Sequence, residues 1–139
     1  MKSVIGRLAP ILLALSAGVS ACDPAPVAQL TNNFNQPIVL RSVLTQSAFS
    51  SKPVDTTIAP GGAVKFYGWD KMRIVAGRCE LAYTVPELPI YVGVVLPFDL
   101  QPDSKLYVRA LKGQDLRYHS FALDAQPAGW PLEPSTTCS

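Results

Sequence analysis

The sequence predicts an all-β domain built as an antiparallel sandwich, with a small barrel as the alternative. Three observations predict it. Short stretches rich in β-branched and aromatic residues recur about every ten residues, roughly seven to nine of them. Clusters of Gly, Pro, Asn and Asp fill the gaps between them. No stretch beyond the N-terminal segment carries apolar residues at helical spacing, and no internal repeat of fixed period is present.

Residues 28–31 alternate and then meet Asn32-Asn33 and Asn35-Gln36-Pro37, a turn-rich cluster. Residues 38–45 place Ile38, Leu40 and Leu44 on one face and Arg41 and Thr45 on the other, the period of a half-buried strand. A polar, Ser-rich stretch follows, so the next strand is residues 54–58. Ala59-Pro60-Gly61-Gly62 then reverses the chain, Pro presetting one dihedral and Gly supplying positive φ, and residues 63–69 return as the second arm of a hairpin. Residues 72–76 and 78–85 are two strands broken at Gly77, with Cys79, Leu81, Tyr83 and Val85 on one face. Pro86 and Pro89 end that run, because proline cannot donate to a ladder.

Residues 90–96 are a nearly continuous apolar β-former, the pattern of a strand covered on both faces. Residues 99–104 read as a turn in which Asp99 and Asp103 flank Pro102 as solvated carboxylates. Residues 105–111 and 116–123 alternate around Lys112-Gly113-Gln114-Asp115, a hairpin loop. From Gly129 a strandless tail runs to Cys138.

The N-terminus carries an address. A basic start (Lys2, Arg7), an apolar core of about a dozen residues interrupted by Pro10, and small residues Ser20 and Ala21 make an export signal too short to span a bilayer. Val19-Ser20-Ala21-Cys22 resembles the lipobox of bacterial lipoproteins. The resemblance covers residues 1–22 and implies cleavage between Ala21 and Cys22 and attachment of acyl chains to the Cys22 thiol. Two or three chains make release from the membrane negligible, each buried CH₂ contributing about 0.8 kcal/mol. Ordinary secretion is the alternative, since Val19-x-Ala21 also suits a standard signal peptidase. On the lipoprotein reading residues 1–21 are removed, residues 22–26 are the lipidated Cys and a proline-rich tether, and residues 27–139 form one β domain. The product faces the periplasm from the cell envelope. Asp23 after the Cys leans toward inner-membrane retention, a rule that varies between bacterial groups.

With the lipobox assigned, Cys79 and Cys138 remain of the three cysteines and are expected to pair as a disulfide, two free or partner-linked thiols being the alternative. Closing a loop of about 60 residues would contribute roughly 4 kcal/mol. Loss of Lys2 and Arg7 lowers the twelve basic residues to ten, against ten acidic ones. A chain so balanced lacks the concentrated basic face of a nucleic-acid binder.

No constellation of known chemistry is present. The single histidine, His119, has only Ser120, Asp115 and Asp124 as neighbouring candidates for a catalytic set, and neither a Gly-x-Ser-x-Gly elbow nor a His-Glu-x-x-His helix occurs. One His and two bridged Cys cannot build a structural zinc site, and no calcium loop or phosphate loop appears, so no cofactor or metal is expected. Of Tyr67, Trp69, Tyr83, Tyr91, Tyr107, Tyr118 and Trp130, most fall in strands and serve packing; Trp69 and Trp130, at strand ends or outside strands, are the candidates for exposed partner contacts. The expected function is a non-catalytic binding or structural module, held to the membrane through Cys22, whose partner is an envelope protein or glycan. The alternatives are a small hydrolase or transferase using His119, and an inhibitor of an envelope-targeting enzyme such as lysozyme.

Overall fold

A computed structural model describes residues 27–45, 52–88, 95–113 and 115–139. The signal, Cys22 and the tether lie outside the described residues, as do most of the apolar run before Val95 and Tyr91 within it. The described chain is all-β: β1 (Val27–Asn32), β2 (Ile38–Thr45), β3 (Val54–Ile58), β4 (Ala63–Tyr67), β5 (Lys71–Ala76), β6 (Cys79–Thr84), β7 (Val95–Leu100), β8 (Leu106–Val108), β9 (Ala110–Lys112), β10 (Tyr118–Ser120) and β11 (Ser135–Cys138). Nine strands form one sheet in the order β11-β6-β5-β2-β4-β1-β7-β8, with β3 also on β2, while β9 and β10 pair apart. The sheet curls into a half-barrel, nearer the barrel alternative than two separate layers. It is mixed, because β1 and β7 run parallel, from Val27 beside Val95 to Asn32 beside Leu100.

The curl begins in β2. Between the pairs Leu40–Thr56 and Val43–Val54, two β2 residues oppose Asp55 alone, a β-bulge. Ser42 sits there at φ 52°, and its N–H donates to the Asp55 carboxylate at 2.9 Å. The extra residue inverts the alternation, so Val43 is buried and Leu44 only half-buried, the reverse of the expected pattern. It also changes neighbours: Ile38 to Leu40 ladder with β3 and β5, Val43 still pairs with Val54 of β3, and Leu44 and Thr45 ladder with β4. The expected hairpin of β3 and β4 therefore does not form. Gly61 makes the turn at φ 74°, but β3 pairs with β2 and β4 with β1 and β2.

The two strands expected to break at Gly77 are β5 and β6, and they pair as a hairpin, with Gly77 at φ 61° in the first of two central positions, where a type II′ turn requires it. In β7 the strand runs through Pro97 to Leu100, so Asp99 lies buried inside a strand rather than solvated in a turn. Both main-chain polar groups of a strand residue point to one side. The Pro97 carbonyl accepts from Arg109 N–H at 2.9 Å, so its missing N–H faces Arg109 too, and the ladder to β1 is spared. The Arg109 carbonyl, with no donor opposite, accepts instead from Phe121 N–H at 2.8 Å. That exchange ends β8 and opens the β9–β10 hairpin; the hairpin is the expected one, but Lys112 belongs to β9 and faces Tyr118 rather than lying in the loop.

Apolar side chains of both halves of the curl meet in one core, with Phe66, Phe98, Leu30, Ile74 and Leu96 fully buried. Trp130 stacks on Phe98 at 5.7 Å between ring centroids, and Trp69 tilts against it at 6.2 Å. The C-terminal region is not strandless: β11 adds to the sheet edge beside β6, and Cys79 and Cys138 sit opposite each other in that pair with Cα atoms 4.0 Å apart, joined as a disulfide. The other edge is covered. Leu132 exchanges two hydrogen bonds with Leu106, and the Gln126 side-chain amide both donates to the Val108 carbonyl and accepts from its N–H, standing in for a strand.

Candidate functional site

Asn32 ends β1 with its side chain fully buried. Its amide donates to the carbonyls of Gln36 (2.9 Å) and Ile58 (3.0 Å), and its oxygen accepts from Phe34 N–H (2.9 Å). These bonds fix the β1–β2 loop, and with it Asn33, Phe34, Asn35 and Gln36. Opposite stands the β7–β8 turn. There Ser104 holds φ 66°, and the Tyr83 hydroxyl donates to its carbonyl at 2.5 Å. Burial, and after it the charge of Asp103, holds the Tyr83 pKa well above the tyrosine range, so this hydroxyl remains a donor.

Between loop and turn lies a cleft of about 440 Å³, within the range of small-molecule sites, ~300–1,000 Å³. Its walls carry the amides of Asn33, Asn35 and Gln36 and the hydroxyls of Ser104 and Thr136, beside the apolar surfaces of Phe34 and Leu81. No lining residue is ionisable apart from Cys79, which the disulfide neutralises. Among the described residues the three amide side chains have no hydrogen-bond partner, so their donors and acceptors are open to a ligand.

The two tryptophans expected as exposed contacts are placed otherwise. Trp130 is 9% exposed and belongs to the core, and Trp69 is half-buried against it, because Phe98 offers an aromatic face to each. The strand tyrosines divide: Tyr83 is buried and Tyr118 is exposed. Asp99 pairs with Arg109 at 3.0 Å; burial raises its pKa and Arg109 only partly opposes this. Asp103 accepts from Tyr107 O–H at 2.7 Å and Lys105 N–H at 2.9 Å, so it too is engaged.

His119 lies exposed on β10 with Nε2 3.5 Å from Asp115 Oδ1. Asp115 is already bound by Arg117 through side chain and backbone, and that side-chain bond is the main reason its pKa is lowered. Ser120, next along the strand, projects from the opposite face. Among the described residues no group of three or more His, Cys, Asp or Glu is placed to hold a metal ion, and no helix is long and apolar enough to cross a membrane. Comparison with protein-family models, with curated proteins and with solved structures finds no match to this chain.

Asn33, Asn35 and Gln36 were marked in the sequence only as turn formers. The triple amide Asn33, Asn35 and Gln36 around an aromatic, Phe34, is the signal that could have singled them out.

Proposed function

We propose that this chain is a lipid-anchored, periplasm-facing protein of the cell envelope whose β domain is a non-catalytic binding module for an uncharged glycan. The lining of the cleft carries this reading. Each amide offers both a donor and an acceptor, the complement of sugar hydroxyls that also do both. The Phe34 ring offers an apolar face to pyranose C–H groups, whereas a phosphate or charged peptide would meet no counter-charge among the lining residues. The lipobox around Cys22, the proline tether and the export-compatible disulfide support the envelope setting. A hydrolase built on His119 draws less support, since the carboxylate nearest it is engaged by Arg117.

Titration of the full chain, purified in detergent, with chitotriose and cellotriose tests the reading. Saturable binding is expected for at least one, weakened about tenfold (roughly 1.4 kcal/mol) by Asn35→Leu with Gln36→Leu. Both positions are exposed, so the unfolding midpoint should hold. No saturable binding of either sugar at millimolar concentration would overturn the glycan reading. The anchor has its own measurement: Cys22→Ser should move the protein from the membrane to the soluble fraction, and unchanged fractionation would count against lipidation.

A further inference from the structure

The sheet register separates two ends of the domain. β1 and β7 both end at the cleft, at Asn32 and Leu100, and both start at the other end, at Val27 and Val95. Six strand residues separate these ends, roughly 17–20 Å. β8 runs antiparallel to β7, so after Arg109 leaves Pro97 the chain continues toward the Val27 end. The β9–β10 hairpin therefore projects from the end at which the tether enters.

That hairpin carries an unusual tip. Leu116 is 61% exposed and holds φ 64°, a left-handed conformation that suits glycine or asparagine and is strained for a leucine. Tyr118 is 60% exposed, with the Lys112 ammonium 5.6 Å from its ring centroid, and Val95 is exposed at the same end. A leucine placed outward at backbone cost, two residues before an exposed tyrosine that carries Lys112 over its ring, and beside Arg117 whose charge Asp115 pairs, has the mixed apolar, aromatic and basic make-up of a segment that enters the interfacial region of a bilayer. Chain length brings it within reach. Five residue steps separate Cys22 from Val27, about 17 Å when fully extended, so acyl chains on Cys22 keep this end beside the headgroups.

We propose that the β9–β10 hairpin is a second, non-covalent contact with the lipid surface, Leu116 and Tyr118 entering the headgroup layer, so that the cleft faces away from the membrane. The inference rests on lipidation of Cys22. Tethering makes a weak contact sufficient, because the hairpin meets the bilayer as an intramolecular event at high effective concentration.

The test uses the full acylated chain in phosphatidylethanolamine–phosphatidylglycerol nanodiscs doped with headgroup nitroxide lipid, read by paramagnetic broadening of amide NMR signals. Broadening is expected at Leu116 and Tyr118 and not at Asn33 to Gln36. Leu116→Ser with Tyr118→Ser should lower it severalfold, with unchanged N-terminal mass and unfolding midpoint. Unbroadened hairpin signals in a chain whose mass shows acylated Cys22 would overturn the docking while leaving the anchor intact. A mass showing bare Cys22 would overturn both. Hairpin signals that shift with protein concentration and not with nitroxide lipid would assign the surface to a second copy and overturn the lipid contact.

Discussion

Asn32 satisfies every polar atom it buries. Its side chain makes three hydrogen bonds, its N–H donates to the Gly62 carbonyl, and its own carbonyl accepts from Gly61. Replacing it by leucine strands the Phe34 N–H and two carbonyls, at about 1 kcal/mol or more apiece, so Asn32→Leu should lower stability by roughly 2–4 kcal/mol in urea unfolding. Asp99 makes a pH prediction. Burial raises its pKa in the fold, so the folded chain binds its proton more readily than the unfolded one. Its contribution to stability is therefore fullest below the ordinary aspartate range and is lost as pH rises through the raised value. Asp115 has the opposite sign, its lowered pKa favouring the fold as pH rises. The difference between parent and Asp99→Asn isolates the first effect: the parent should gain stability relative to the variant on acidification, measured by thermal unfolding across the acid range.

At the scale of elements, the β2 bulge and the Pro97 break do the steering. Asp55 secures the bulge twice, by accepting from Ser42 N–H and by pairing with Arg41 at 3.4 Å. Asp55→Ala should cost about 1 kcal/mol, mostly from the lost hydrogen bond to Ser42 N–H, which water then meets at this exposed position, since an exposed ion pair adds little. Ser42→Gly should be tolerated, because glycine accepts the positive φ that Ser42 already holds. Chemical denaturation of the two variants checks the contrast, and equal losses would remove Asp55 from the account. The β9–β10 hairpin was legible from its alternation and loop chemistry, which are local. The β3–β4 hairpin was equally plausible by those criteria and does not exist, because each strand found a better partner elsewhere in the sheet.

For the whole molecule, the disulfide joins the last strand to the sheet edge over a separation of 59 residues. Closing so long a loop restricts the unfolded chain by about 4 kcal/mol, and β11, exposed at every position, has little buried surface of its own to hold it. Cys138→Ser should therefore lower stability by about that amount and leave the β11 amides exchanging with solvent much faster than those of β5. Protection of β11 unchanged in Cys138→Ser would show that the strand holds without the bridge.

The sequence by itself determined the class of the fold and most strand positions, because alternation and turn residues act over a few residues, and it led to the expectation of the Cys79–Cys138 pair that the structure shows. Only the tertiary structure decided that β1 and β7 run parallel, that Trp130 is packed rather than displayed, and that four consecutive loop residues wall a cleft. Those outcomes depend on which strands lie side by side and on which aromatic face a ring can reach, and both are set by contacts between residues far apart in the chain.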